Sequence, residues 1–167
     1  DHMPLPGAAY ELAEEFGFLL RNGHARQKNP GKKFFYRSNN TLTENAITNG
    51  RNTAEAIDSV LAFDGSGFAV PGDAISILTF DSTFYQWEPE KAWDLESVEP
   101  YSIEGYSQGA FRRSGRGKIV VYGEAMMFTA QLGAGLSWIK IGMNSKKCPE
   151  NYKLVLNTIH WLDGQLD

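Results

Sequence analysis

The sequence lacks the residues and segments on which several functional classes depend. It has one cysteine, Cys148, among 167 residues, so an internal disulfide and a cysteine-based metal cluster are both excluded. Its three histidines, His2, His24 and His160, show no metal-ligand spacing, and we expect no metal and no cofactor. No apolar run approaches the roughly 18 residues of a membrane span, and no signal-peptide pattern is present.

Charge of one sign is not concentrated in any stretch either. The 16 basic and 20 acidic residues give a net charge of -4, and the densest basic cluster only flanks a predicted hairpin turn at 112–118. A nucleic-acid-binding domain is normally basic with a stripe of such residues, so nucleic acid is not an expected partner. The length and a hydrophobic content of 42% predict a single globular domain, 1–167.

The most informative stretch runs from Gly115 to Gln131. A Gly-Arg-Gly turn precedes the apolar run Ile119–Tyr122, which has the length and composition of a buried strand. Gly123 ends the run, Glu124 follows, and residues 125–131 are good helix formers. A strand, a glycine, an acid and a helix in this order predict a polar side chain at the carboxyl edge of an open α/β sheet, where ligands bind.

The remaining pattern interleaves strands with helices. Strands are predicted at Ile57–Phe63 and Ala74–Phe80, and an antiparallel hairpin at 107–122. Helices are predicted at Pro4–Phe16, 125–132 and Pro149–Leu162. The last helix has an apolar stripe that we expect to be buried, formed by Tyr152, Val155, Leu156, Ile159 and Leu162. This order favours a three-layer α/β/α sandwich. Because a helix follows the first residues at once, we expect the first strand to lie upstream of Asp1.

Several stretches resemble a known family. They are Asp-His-Met-Pro-Leu-Pro-Gly-Ala (1–8), Ile-Thr-Asn-Gly-Arg-Asn (47–52), Gln-Gly-Ala (108–110), Gly-Arg-Gly-Lys (115–118), Gly-Glu-Ala-Met-Met-Phe-Thr-Ala-Gln (123–131), Gly-Met-Asn (142–144) and Leu-Asn-Thr-Ile-His-Trp-Leu (156–162). They are similar to an uncharacterised group of bacterial proteins, often exported, with the class I glutamine-amidotransferase-like fold. The resemblance implies a flavodoxin-like sandwich, related to the trehalose-utilisation-type domains, with a strand before residue 1.

The resemblance does not imply amidotransferase activity. Those enzymes need a cysteine on a tight strand-to-helix elbow, and no Gly-x-Cys-x-Gly is present. Cys148 precedes Pro149 in a loop that opens the last helix, which is a different context. Ser66, in Asp64-Gly65-Ser66-Gly67, is not followed by a helix, so we interpret this segment as a turn.

Six residues are candidates for a ligand site at the expected sheet edge: Asp1, His2, Asp81, Ser82, Gln108 and Glu124. Glu124 and His2 are also the candidates for catalysis, because a carboxylate and an imidazole can act as acid and base. For each, a structural role is the alternative: Glu124 can cap the helix after it, and the other side chains can hydrogen-bond within the sheet edge. An aromatic group, Phe84, Tyr85, Trp87, Trp93 and Tyr101, can stack against a sugar or cover a loop.

Three functions follow as hypotheses. The first is a ligand-binding or interaction domain with a cleft near Glu124, and its partner would be a small polar or carbohydrate ligand. The second is a hydrolase for such a molecule, using Glu124 and His2. The third is a structural domain that docks onto the rest of its own chain or onto another copy through an exposed apolar patch.

Overall fold

The fold differs from the predicted three-layer sandwich. The computed structural model describes residues 7, 9–27, 33–133 and 136–167. Within these ranges it contains ten strands in four small sheets, all paired antiparallel, and three α-helices. The prediction of an α/β/α sandwich is therefore wrong. The described strands pair with neighbours that run in the opposite direction, so no edge exists at which parallel strands all end together.

The elements follow one another in short segments. The strands are β1 (His24–Gln27), β2 (Lys33–Tyr36), β3 (Ser59–Ala62), β4 (Ile75–Thr79), β5 (Phe84–Trp87), β6 (Tyr101–Ser102), β7 (Ser107–Ser114), β8 (Gly117–Tyr122), β9 (Ala130–Gly133) and β10 (Leu136–Gly142). The α-helices are α1 (Tyr10–Glu15), α2 (Ala46–Asn49) and α3 (Asn151–Leu162). Three single 3₁₀ turns lie at Arg37–Asn39, Leu95–Ser97 and Met126–Phe128.

The sheets have the orders β1-β5-β6, β2-β3, β4-β7-β8 and β9-β10. The β7–β8 pair confirms the predicted hairpin: Ser114 lies opposite Gly117 across a two-residue turn. Gly115 has a φ of +56°, and glycine adopts this sign at low cost. The predicted strands at 57–63 and 74–80 are present as β3 and β4.

The predicted helix after Glu124 is wrong, and a single 3₁₀ turn followed by β9 takes its place. Pairing with β10 overrides the helix propensity of these residues. Gly142, at the end of β10, packs directly on the turn: a methyl group added there would lie 2.6 Å from Met126 O. The Met143 N–H also donates to Thr129 O, which holds the chain extended at that point.

Helix α3 confirms the predicted terminal helix, but its predicted stripe faces outward. The side chains of Tyr152, Leu156 and Ile159 are about half exposed, and the buried face consists of Asn151, Leu154, Asn157 and Trp161. Asn151 donates to Leu61 O and accepts from Leu61 N, and Asn157 donates to Ile47 O. The inward face is thus set by side-chain amides that bind backbone groups, which apolar periodicity does not reveal.

One hydrophobic cluster connects three of the sheets to α3. It contains Phe35 and Val60 of β2–β3, Ile77 and Phe111 of β4–β7, Phe84 of β5, and Leu154 and Trp161 of α3. A smaller cluster around Phe18 and Phe68 lies under α1. Strand β8 packs against both, because Val120 and Tyr122 contact the large cluster while Ile119 and Val121 contact the small one.

Candidate ligand-binding site

The segment Asp64–Gly67, called here the Asp64 loop, lies between β3 and β4 in the chain and contacts the sheet β1-β5-β6. Gly65 N–H donates to Asp64 Oδ1, and Gly65 has a φ of +104°, where other residues are strained. Gly65 O accepts from Ala25 N, and Ser66 N donates to Gly123 O. The segment has a bend at Asp64, no helix follows it, and these contacts fix the loop between β1 and the end of β8.

Glu124 and Gln108 support one side of the Asp64 loop. A methyl group added at Gly65 would lie 2.6 Å from Glu124 Cβ and 2.6 Å from Gln108 Nε2, so both side chains press on the loop. Gln108 Nε2 donates to Asp64 O at 2.7 Å. Glu124 is only 2% exposed, and its carboxylate accepts from Met127 N at 3.1 and 3.2 Å. The geometry supports a capping role for Glu124 at the 3₁₀ turn that follows it.

The other predicted site residues do not join this pair. Asp81 accepts from Thr83 N at 2.9 Å within the turn between β4 and β5, and Ser82 is exposed in the same turn. Asp1 and His2 lie outside the described residues. Of the six predicted residues, the structure therefore brings together Gln108 and Glu124, around a loop whose importance the sequence did not indicate.

The opposite side of the Asp64 loop carries a buried histidine. His24, in β1, is 1% exposed, and its Nδ1 lies 2.7 Å from Asp64 Oδ1. Its Nε2 accepts from Arg26 Nε. A guanidinium can only donate, so Nε2 is the acceptor nitrogen, while Nδ1 lies close to Asp64 Oδ1 without hydrogen-bond geometry. Asp64, His24 and Arg26 thus form a chain of polar contacts that ends at an exposed cation.

Trp93 covers the buried histidine. Its ring centroid lies 5.6 Å from that of His24, with 69° between the ring planes, which is an edge-to-face contact. Its side chain is nevertheless 53% exposed. Its backbone has a φ of +68°, a conformation that costs a bulky residue roughly 1–3 kcal/mol. Such strain is concentrated at ligand-binding and active sites, which makes Trp93 a candidate for function.

The pairing of β1 with β5 places two more aromatic rings on the same face. His24 lies opposite Trp87, and Arg26 lies opposite Tyr85. Residues directly opposite in an antiparallel pair direct their side chains to the same side of the sheet. The outer face of the sheet therefore combines a cation, Arg26, with half-buried aromatic rings and with Trp93. We call this surface the Trp93 face.

The inner side of the same sheet holds a second polar group. Gln86 is fully buried, accepts from Gly67 N at 2.7 Å and donates to Glu88 Oε1 at 2.8 Å. The Tyr101 hydroxyl donates to Glu88 and accepts from Gln86 Nε2. Burial, followed by the hydrogen bond to Glu88 and then its negative charge, raises the pKa of Tyr101 above its usual range. Through its contact with Gly67, Gln86 holds the Asp64 loop from the inner side of the sheet. The His24–Asp64 pair therefore has a fixed position.

Sequence reasoning did not single out Asp64, His24 or Arg26. His24 and Asp64 are 40 positions apart, and no spacing connects them. Trp93 belonged to the aromatic group for which sugar stacking was one alternative. The signal that could have been used is the alternation His24–Ala25–Arg26, in which a buried small residue separates two polar ones as in a strand.

The described residues contain no group of three or more His, Cys, Asp or Glu side chains that could hold a metal ion. Among the helices of the described ranges, none has the length and apolar character that crossing a membrane requires. No protein-family model matches the chain, and no curated protein is significantly similar to it in sequence. The resemblance to amidotransferase-like proteins therefore stays a prediction.

Proposed function

We propose that the chain is a binding domain for a small polar ligand with a ring of the carbohydrate type, held on the Trp93 face. The observation that carries the proposal is the strained and half-exposed Trp93 above the buried His24–Asp64 pair. A flat aromatic ring stacks on the apolar face of a sugar, and polar neighbours then recognise its hydroxyl groups. Relative to the sequence-based hypothesis, the site moves from Glu124 to the other side of the Asp64 loop.

Arg26 gives the proposed site a preference for acidic ligands. Its Nε is engaged with His24, while the rest of the exposed guanidinium can bind a carboxylate or sulfate by charge-assisted hydrogen bonds. His24 is buried and holds Arg26 in place from below, and Asp64, which is partly exposed, lies beside the other nitrogen of the histidine ring. They act as positioning residues, which limits the entropy lost by the arginine on binding.

The hydrolase hypothesis has less support from the geometry. It relied on Glu124 and His2, but Glu124 is buried and accepts a hydrogen bond from the turn that follows it, while His2 lies outside the described residues. A general acid or base must reach the substrate, and a carboxylate at 2% exposure does so only after a structural change.

The proposal predicts a specific response of Trp93 to sugars. The chain is titrated with glucose, N-acetylglucosamine and glucuronic acid while the indole N–H signals are followed by NMR, with Trp93→Phe identifying its signal. We expect a saturable shift of the Trp93 signal, strongest with glucuronic acid. Trp93→Ala should weaken binding about fivefold or more, because stacking of a ligand ring on an aromatic side chain contributes on the order of 1–3 kcal/mol.

Two further variants complete the experiment. Arg26→Gln should reduce binding of glucuronic acid much more than binding of glucose, because only the acidic sugar uses the guanidinium. Tyr152→Ala removes an equally exposed aromatic ring on α3 and should leave binding unchanged. The proposal fails if none of the three sugars shifts the Trp93 signal, or if Trp93→Ala and Tyr152→Ala bind alike.

A further inference from the structure

A cleft of about 400 Å³ opens beside the sheet β4-β7-β8 and shares no lining residue with the Trp93 face. Its walls come from α2, the segment before β4, the start of β4, the outer half of β7, the end of α3 and Asp167. Small-molecule sites have volumes of this size, and they combine an apolar lining with a few polar groups that orient the ligand. The side chains of this cleft indicate which ligand it takes.

The floor of the cleft is apolar and rigid. The rings of Phe111 and Trp161 meet edge to face, with centroids 4.7 Å apart, and both side chains are almost fully buried. Ile75 lies opposite Phe111 at the start of β4, and its side chain is 46% exposed. The cleft therefore offers an apolar surface to a ligand without any rearrangement of the core.

Arg112 forms part of the wall and is fully engaged. Its Nε donates to Arg113 O and its Nη1 donates to Phe16 O, both at 3.3 Å. Its Nη2 lies 2.9 Å from a carboxylate oxygen of Asp73. All three nitrogens thus have partners, and the charge of this arginine is matched by one aspartate.

The charges around Arg113 are not matched in this way. Arg113 lies opposite Lys118 in the β7–β8 hairpin, so the two side chains share a face of the sheet. The same oxygen of Asp167 lies 2.7 Å from Arg113 Nη2 and 3.9 Å from Lys118 Nζ. In the described part of the chain, no other carboxylate forms an ion pair with either residue, so one carboxylate serves two cations.

Of these two cations, Arg113 is the one that a ligand can reach. Lys118 is 12% exposed, donates to Trp161 O and Leu166 O, and lies 5.0 Å above the Trp161 ring. Arg113 is 57% exposed, and its Nε and Nη1 have no partner among the described residues. Its pair with Asp167 is weak as well, because Asp167 is 83% exposed and solvent screens such pairs.

We propose that this cleft binds a small aromatic monocarboxylate. The ligand's carboxylate pairs with Arg113 and supplies the second negative charge beside Lys118. Its flat ring lies against Ile75 and the floor, where the edges of aromatic side chains favour another ring. A sugar would place hydroxyl groups against this apolar surface, so the site differs in ligand class from the Trp93 face.

The test compares naphthoate with naphthamide, which has the same ring and no charge. The purified chain is titrated with each compound while the Nε–H signal of Arg113 and the methyl signals of Ile75 are followed by NMR. We expect saturable shifts of both signals with naphthoate. Naphthamide should bind at least tenfold more weakly, because it loses the charge-assisted hydrogen bond.

Three variants test the role of single side chains. Arg113→Gln should weaken naphthoate binding at least tenfold, and Arg116→Gln is the matched control, because it removes the same charge from an exposed turn residue that does not line the cleft. Asp167→Asn should tighten binding, because the ligand then has no competing carboxylate. All three side chains are more than half exposed or lie in a turn, so their replacement should leave the fold intact.

The proposal fails if naphthoate at millimolar concentration shifts neither the Arg113 nor the Ile75 signals. It also fails if naphthamide binds as well as naphthoate, or if Arg113→Gln and Arg116→Gln have equal effects. Trp93→Ala separates this site from the Trp93 face: it should leave naphthoate binding unchanged, and a loss of binding in that variant would place the compound at the other site.

Discussion

Glu150 is the residue at which charge contributes most clearly to the fold. It precedes α3, and its Oε2 accepts from Asp58 N at 3.0 Å and from Ser59 N at 2.9 Å, which joins the helix to the start of β3. Lys153 Nζ donates to the other oxygen at 3.1 Å. Burial alone would raise the pKa of this carboxyl, but the hydrogen bonds from Ser59, Lys153 and Asp58 outweigh it, so the pKa is lowered.

The lowered pKa of Glu150 predicts a pH-dependent contribution to stability. A carboxyl with a depressed pKa in the folded state stabilises the fold above its unfolded value of 4.5, and the contribution is lost as pH falls through the folded-state pKa. We expect Glu150→Gln to lower the free energy of unfolding by about 1–2 kcal/mol at pH 7, the size of charged hydrogen bonds. Urea unfolding of both proteins at pH 7 and pH 3 measures the difference.

At pH 3 the two proteins should differ much less, because the native carboxyl is then becoming protonated as well. Asp81→Asn, which changes a carboxylate in the exposed turn after β4, serves as the matched control and should show a smaller effect at both pH values. An equal deficit of Glu150→Gln at pH 7 and pH 3 would show that its charge does not matter.

Among elements, α3 shows how far apolar periodicity can mislead. The stripe Tyr152–Leu162 has helical spacing, and yet the helix buries the face that contains Asn151 and Asn157. Asn157 Nδ2 donates to Ile47 O at 2.8 Å and to Glu55 O at 3.0 Å, so this side chain joins α3 both to α2 and to the segment after it. One buried carbonyl and one partly buried carbonyl gain partners in this way, and most of the apolar stripe stays on the outer face of the helix.

Because α3 buries a different face from the predicted one, substitutions in it should have an unusual order of effects on stability. Asn157→Leu should lower the free energy of unfolding by about 2–4 kcal/mol, because it leaves the carbonyls of Ile47 and Glu55 buried without partners. Leu156→Ala, on the exposed face, should cost no more than about 0.5 kcal/mol. Urea unfolding measures both values. The opposite order would restore the sequence-based prediction in which Leu156 is buried.

Some elements of the fold could be predicted from the sequence, and others could not. The β7–β8 hairpin, the strands β3 and β4 and helix α3 were predictable, because their turn residues and local composition agree with their structure. The helix expected after Glu124 was not, because its fate depends on a contact with Gly142 that lies 18 positions after Glu124. The face of α3 depended on amide contacts to distant carbonyls, and such contacts leave no periodic signal.

For the candidate site, sequence reasoning reached one side of the Asp64 loop and missed the other. Gln108 and Glu124 were predictable as polar residues beside apolar strands, although their contacts support the loop. His24 and Asp64 meet because β1 pairs with β5 and because Ala25 N donates to Gly65 O. Both are long-range backbone contacts, and neither follows from local propensity.

At the scale of the whole molecule, four small sheets raise the question of whether the chain unfolds as one unit. A two-stranded sheet is at best marginally stable alone, so β2–β3 and β9–β10 depend on packing against the rest of the molecule. The large hydrophobic cluster unites β1 to β5, β7 and α3 through residues such as Phe35, Phe84 and Trp161. Because this cluster is shared, most of the molecule should lose its structure in a single transition. The β9 strand, whose Leu132 is more than half exposed, has less such packing.

Cys148 gives a direct test of this cooperativity. Its side chain is 2% exposed, and burial, together with the negative charge of Glu124, raises the pKa of its thiol, although a hydrogen bond with Ser145 opposes the shift. A thiol reagent reacts with the thiolate, so labelling at pH 8 requires that the segment open.

If the molecule unfolds as one unit, the logarithm of the labelling rate should rise linearly with urea, with the slope of the equilibrium transition. Glu150→Gln and Asn157→Leu should each accelerate labelling by the factor that corresponds to their measured loss of stability, about tenfold per 1.4 kcal/mol. Labelling that does not change with low urea would instead mean that the segment before α3 opens locally, without the rest of the core.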